Sequence, residues 1–286
     1  MGSEMCIRDR FSAISGLRSH QTMMDVTGNN IANVNTSGYK STRATFQEAL
    51  TQVTRGATAS SPATGGTNPF QVGLGTQVAG IDQNFSQGSV QTTGRGTDVS
   101  INGEGMFLTG DQSAANVGYT RSGAFNFDAS GYLVSPMGGY VLGWNAIPPA
   151  PGATFVDTDP LEAVQIDLTQ YTDPQIASDG TITARDAGGA LFVVGRIAVA
   201  RFVNTNGLQR EGNGLFSESP NSGPPQVGFA GDTGRGVLQA GTLEMSNVDL
   251  AQEFTNMIIA QRGFQANSRT ITASDEILQE LVNMKR

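Results

Sequence analysis

The chain of 286 residues contains one cysteine, Cys6, and one histidine, His20. A single thiol cannot close an intramolecular disulfide or build a thiolate metal site. A single imidazole leaves little for the hydrolytic and metal chemistries that use one as base or ligand. Placed inside a helical pattern, His20 reads as a packing or surface residue. Lysine and arginine number 17 against 25 aspartates and glutamates, a formal net charge of -8. With no basic cluster, that balance argues against nucleic acid or an anionic membrane as partner. No apolar run reaches the ~18 residues a spanning helix needs. An apolar segment followed by a small-residue cleavage site, the mark of the general secretory route, is also missing.

What the sequence has in quantity is glycine, 37 residues, and 11 prolines, accompanied by much Ser, Thr and Asn. These residues favour turns over long helices, so the middle of the chain is expected to be β-rich. Residues 1–10, MGSEMCIRDR, have mixed charge and no apolar period, and they read as foreign to the rest of the chain. The amphipathic pattern begins at Phe11.

Both ends carry helical periodicity. Leu17, Met24 and Ile31 recur every seventh residue, with Ile14, Gln21 and Gly28 in the companion column. The polar and small members of that second column weaken an isolated helix, so it needs a partner. Near the other end Leu250, Met257, Phe264, Ile271 and Leu278 keep the same strict step. Their companions are Asn247, Phe254, Gln261, Ser268, Asp275 and Val282. Ser246 or Asn247 is the expected N-cap, with Asp249 and Glu253 in the first turn, and Lys285 and Arg286 suit the negative end of the helix dipole. Such a helix would be roughly 55 Å long, a rod too long for a compact globule of this size. A coiled coil in which the two termini meet accounts for both segments; a long amphipathic helix lying on a globular core is the alternative.

Between the ends, residues 54–70 (TRGATASSPATGGTNPF) are poor in apolar residues and read as a loop or linker. Short alternating runs bounded by turn residues come next and read as strands. Asp128–Gly131 and Ser178–Gly180 read as hairpin turns. Residues 147–152 (IPPAPG) read as a break between two β subdomains. The expected fold class is α+β, with long terminal helices of coiled-coil type flanking a mainly β body built from discontinuous segments. The expected organisation is 11–34 for the N-terminal helix, 35–84 for a linker and extended region, and 85–146 for the first β part. A possible second β subdomain spans 147–204, return strands span 205–245, and the C-terminal helix spans 246–286.

The glycines of GRGTDVSINGEG (94–105) lack the strand-turn-helix context and the Lys of a phosphate loop, and read as β-turns. Asp173, Asp179 and Asp186 are spaced for hairpin turns, not for a calcium loop. Nothing points to catalysis, and no cofactor, metal or catalytic residue is expected. The segment DVTGNNIANVNTSGYKS (25–41) is the most unusual. Asn29, Asn30, Asn33 and Asn35 fall where the first helix ends. An amide both donates and accepts, so several in succession can tie a helix end to neighbouring backbone.

Residues 12–46 resemble the N-terminal motif of the bacterial flagellar axial proteins, the rod and hook family. That pattern falls here on Asn29, Asn30, Ala32, Asn33, Thr36, Gly38, Tyr39 and Lys40. Residues 85–107 are similar to the family's middle motif, and 243–286 to its C-terminal helix. Within the family, Met245–Leu250, Gln261–Ser268 and residues 195–223 look like the hook subunit, a flexible joint transmitting torque; the distal rod subunit, a rigid drive shaft, is the alternative. The resemblance implies a non-enzymatic subunit that leaves the cell through the flagellar type III export apparatus and self-assembles into a helical tube. Its partners would be further copies of itself and other axial proteins of the rod, hook cap and hook-filament junction. Its place would be the flagellar hook and basal body, outside the cell after export. Leu17, Met24, Ile31, Leu250, Phe254, Met257, Phe264, Ile271 and Leu278 are the expected assembly seam. A secreted β-rich adhesin on a coiled-coil stalk is the reading from a different class.

Overall fold

The computed structural model describes residues 2–60, 65–156 and 159–284. The architecture is α+β, with a helix at each end and strands between them. The chain divides into two units, one made of Met1–Ala32, Thr42–Gln83 and Asp249–Arg286, the other of Asn33–Ser41 and Asn84–Val248.

The first unit contains helix α1 (Gly2–Ala32), strands β1 (Thr42–Glu48), β2 (Thr51–Arg55), β3 (Phe70–Gly73) and β4 (Thr76–Gln83), and helix α2 (Leu250–Met284). Helix α1 starts at Gly2, upstream of the expected Phe11. The helices run antiparallel: Arg10 pairs with Asp275, Gly16 faces Asn267, His20 packs over Gly263, and Asn30 bonds Glu253. The most deeply buried positions are small or polar, with Ala13, Gly16, Ser19, Thr27 and Asn30 on α1 and Ala260 and Ser274 on α2. A side chain at Gly16 would come within 2.8 Å of the Asn267 amide, so glycine lets the helices approach closely. Asp249 Oδ1 accepts the N–H of Ala251 at 2.9 Å, so Asp249 caps α2 in place of the expected Ser246 or Asn247. Lys285 and Arg286, expected at the dipole's negative end, lie outside the described residues.

Of the segment 54–70, expected to be a linker, residues 54–60 and 65–70 are the outer part of a β-hairpin, and 61–64 lie outside the described residues. β1 pairs antiparallel with β4 from Thr42↔Gln83 to Glu48↔Thr76, and β2 with β3 from Thr51↔Gly73 to Arg55↔Phe70. A bridge joins Thr58 to Thr67 farther out. All five residues of β2 are exposed, so the strand has no buried face and hence no alternation to read.

The second unit is built from antiparallel ladders. Its strands are β5 (Val90–Thr92), β6 (Val99–Asn102), β7 (Met106–Gly110), β8 (Val117–Thr120), β9 (Asn126–Phe127), β10 (Leu133–Val134), β11 (Tyr140–Ala150) and β12 (Glu162–Ala163). They continue with β13 (Tyr171–Ile176), β14 (Thr181–Asp186), β15 (Leu191–Ile197), β16 (Val199–Arg201), β17 (Gln209–Gly212), β18 (Leu215–Ser217), β19 (Gln226–Gly228), β20 (Val237–Ala240) and β21 (Thr242–Glu244). The main sheet runs β13-β14-β15-β11-β7-β8-β18-β17, and β20 pairs with β6 and β21 with β5. Alternate residues of one strand feed two cores. Phe107, Val141, Ile197 and Val199 join Ile101, Phe125, Ile182 and Leu238 in one; Met106, Leu108, Leu142, Ala198 and Ala200 join Trp144, Phe202 and Phe216 in the other. The sheet is covered on both faces, so successive residues of β7 and β16 are buried and the alternation expected for these strands is lost.

Both expected hairpin turns are present. Asp128 accepts the N–H groups of Ser130 and Tyr132, and Asp179 accepts that of Thr181. The expected break at 147–152 is absent, because β11 continues to Ala150 and pairs with β15. The prolines fit because the register shifts between Asn145 and Ala150, where no regular ladder bond is required. Residues 147–204 therefore belong to the same unit as 84–146.

Phe125 is fully buried and meets Phe107 edge-to-face at 5.0 Å. Phe125→Ala is expected to destabilise this unit by about 3–5 kcal/mol, measured as a lower urea midpoint without a change in slope.

Candidate assembly site

The asparagine-rich segment ties helix to strand and strand to strand. At the end of α1, Asn30 is almost completely buried. Its Nδ2 donates to the Thr42 carbonyl at 2.7 Å, while its Oδ1 accepts the Thr42 N–H at 3.0 Å. The side chain thus pairs with the first residue of β1 as another strand would. Its Nδ2 also donates to Glu253 Oε1 of α2 at 3.2 Å. Burial raises the Glu253 carboxyl above its usual range, while the hydrogen bond from Asn30 acts to lower it. Asn29 lies exposed on the last helical turn.

The rest of the motif lies in the second unit. Asn33 closes a turn, its carbonyl accepting the Thr36 N–H and its Oδ1 the Thr36 hydroxyl, both at 3.1 Å. Gly38 has φ of +70°, and a Cβ there would come within 2.5 Å of the Ser122 nitrogen. Its N–H donates to the Glu244 carbonyl at 2.7 Å. Tyr39 is buried beneath the Arg210 guanidinium, 4.8 Å from its ring centroid.

Lys40 is the centre of this arrangement. Its side chain is 1% exposed, and Nζ donates to Glu244 Oε1 at 2.6 Å and to the Ser86 carbonyl at 2.8 Å. Glu244, fully buried, also accepts the Gly88 N–H at 2.9 Å and lies 3.5 Å from Arg121 Nε. Arg121 donates to the Gly103 carbonyl at 2.7 Å. Burial lowers the Lys40 pKa below the usual lysine range, with Glu244 opposing the shift; burial likewise lowers Arg121. Beside this cluster, Asn247 gathers three stretches of chain: its Oδ1 accepts the Ser41 N–H at 2.8 Å, and its Nδ2 donates to the carbonyls of Asn84 at 2.8 Å and Ser86 at 3.0 Å. The Asn84 N–H donates to the Ser41 carbonyl at 2.8 Å.

Lys40 and Asn30 are legible in the sequence as members of a motif and Asn247 as a candidate helix cap, whereas Glu244 and Arg121 are not singled out there. The available signal is weak: Thr242, Glu244 and Ser246 alternate along one face, and all are buried. Of the expected seam, Leu17, Met24, Ile31, Met257, Phe264, Ile271 and Leu278 are half-buried, and Leu250 and Phe254 are exposed. Leu250, Phe254 and Ile258, spaced four residues apart, form an uncovered apolar stripe on α2 at 40%, 50% and 58% exposure. Among the described residues no three His, Cys, Asp or Glu side chains converge as a metal site would require.

Gly38→Ala is expected to cost at least about 2 kcal/mol, since it combines a positive φ with a backbone collision; chemical denaturation of the variant measures it. The chain has two lysines, Lys40 and Lys285, so titration of lysine-labelled protein by NMR resolves them. Lys40 is expected to lose its proton below the usual lysine range. Across the window between those values the unfolded chain binds more protons than the folded one, so the contribution of this group to stability rises with pH. A Lys40 signal titrating at the ordinary value would contradict the burial argument.

Three family models match along the chain: Flagella basal body rod protein over residues 12–40, Flagellar hook protein FlgE/F/G D1 domain over 100–184, and Flagellar basal body rod FlgEFG protein C-terminal over 239–284. The flagellar basal-body rod protein FlgG of Bacillus subtilis is 45% identical, the match covering 98% of this chain and 100% of that protein. FlgG of Borreliella burgdorferi is 37% identical, covering 98% and 99%. The hook protein FlgE of the same organism is 29% identical, covering 98% and 100%. Lys40 falls at the end of the first matched region and Glu244 near the start of the third, so the buried pair joins two segments that both carry the family's pattern. The chain belongs to the flagellar basal-body rod and hook family, whose members are structural proteins of the flagellum.

Proposed function

We propose that the chain is a subunit of the distal flagellar rod, assembling with copies of itself into a helical tube that acts as a drive shaft. The uncovered stripe Leu250-Phe254-Ile258 carries the assembly part of this reading. It lies on a helix already paired with α1, so a second molecule is the natural source of cover. Head-to-tail contacts that do not close on themselves then build a filament. In that assembly the heptad columns expected from the sequence would complete a coiled-coil wall. Partners on this reading are further copies, neighbouring axial proteins and the flagellar type III export apparatus.

The choice of rod over hook rests on length and similarity. The Bacillus subtilis FlgG match spans 283 positions, whereas that with the Borreliella hook protein needs 442 for the same 98% of this chain. Hook relatives therefore carry long additional segments that this chain lacks. The sequence wording alone favours the hook subunit, and that reading stands as the alternative.

Phe254→Asp with Ile258→Asp is expected to leave the β unit folded, as read by Trp144 fluorescence, and to abolish sedimentable polymer. Normal polymers from this double variant would count against the stripe as the assembly surface. Immunogold labelling of isolated basal bodies separates the two family readings: label on the straight rod is expected, and label confined to the curved external segment would establish the hook instead.

A further inference from the structure

The buried cluster around Glu244 couples the last part of the β unit to its beginning. Lys40 and Glu244 are separated by 204 positions. Every other member of the cluster, Gly38, Ser86, Gly88 and Arg121, precedes Glu244 by more than a hundred residues. Glu244 is the carboxylate that meets both buried cations. Without it, Lys40 would be a positive charge removed from water with no counter-charge and Arg121 would keep only the influence of Glu104, which opposes closure of the core.

The strands repeat this dependence. β6 has its ladder with β20, from Val99↔Ala240 to Asn102↔Val237, and β5 has its ladder with β21. Val99 and Ile101 of β6 are fully buried and share a core with Leu238 of β20. The Leu238 N–H donates to the Ser178 carbonyl at 2.9 Å, and the Gly236 N–H to the Glu104 carbonyl at 2.6 Å. Residues 236–244 therefore complete the backbone pairing of β6, the core over it and the charge balance beneath it.

We propose that the segment 236–244 is a closing latch. The two buried cations keep the preceding chain from completing its core until Glu244 arrives between them. In a chain that emerges N-terminus first, as during synthesis, the latch engages only after nearly the whole β unit has appeared. The unit thus stays open until its last strands emerge, which on the proposed function would leave the chain open for export.

Hydrogen-exchange pulse labelling during refolding of the full chain tests this. The expected result is that amides of Gly38, Gly88 and Val99–Asn102 gain protection in the same kinetic phase as those of β20 and β21, with the central strands β7 and β11 no earlier. Full protection of β7 and β11 in a phase before β20 and β21 would overturn the latch. A second arm isolates the charge. Glu244→Gln is expected to lower the folded-to-unfolded ratio by about 100-fold to several thousand-fold, the usual consequence of leaving a buried charge unpaired. Lys40→Met/Arg121→Met/Glu244→Leu removes both cations and is expected to let β7 and β11 gain protection ahead of β20. If the triple variant refolds with wild-type order, the cations are not the gate and the proposal fails. Sedimentation of the refolded wild-type protein reports assembly separately: concerted protection without polymer overturns the assembly reading alone, and early protection with normal polymer overturns the latch alone.

Discussion

The ionic contact between Lys40 and Glu244 is the constraint on which the rest of the β unit depends. A fully buried carboxylate is tolerable only with its counter-charges and hydrogen bonds in place, and Glu244 has Lys40, the Gly88 N–H and nearby Arg121. Those groups come from three separate stretches of chain. Meeting that requirement fixes where the N-terminal motif, the 84–88 segment and the last strand must lie in this unit. The motif and the stretch TLEMSN (242–247) are two halves of one device. Gly38 accepts a backbone conformation that brings its N–H to Glu244, Lys40 supplies the charge, and Asn247 binds the backbone of Ser41 and Asn84.

The helical unit follows the same logic with amides in place of charges. Asn30 pairs with the first residue of β1 and reaches Glu253 on α2, so the end of one helix, the start of the hairpin and the first turn of the other helix meet at one side chain. Small residues along the helix contact allow the close approach, with Gly16 against Asn267 and Gly263 beneath His20. The larger heptad side chains are left half-buried or exposed. The apolar stripe Leu250-Phe254-Ile258 stays uncovered, and it is the surface that the proposed self-assembly would use.

Much of the fold is legible in the order of residues alone. Seven-residue spacing marks both helices, turn chemistry marks the hairpins at Asp128 and Asp179, and short runs bounded by turn residues mark the β character of the middle. Three expectations are overturned for physical reasons. The hairpin within 51–73 is held by backbone bonds with β2 exposed throughout, so no hydrophobic period announces it. The prolines near 147 read as a boundary, but they fall where the ladder of β11 is irregular and needs no N–H from them. The N-cap moves from Ser246 or Asn247 to Asp249 because the Asn247 amide binds other backbone.

The sequence by itself determined the helical ends, the β character of the middle and the motif that marks the family, because these are expressed in local spacing and residue type. Only the tertiary structure decided which residues that motif serves. Glu244 and Asn247 lie more than 200 positions from Lys40 and Ser41, and no local pattern encodes a partner at that distance. A charge or amide in a strand looks the same in sequence whether water or a buried counterpart satisfies it. The difference appears only when folding removes the water.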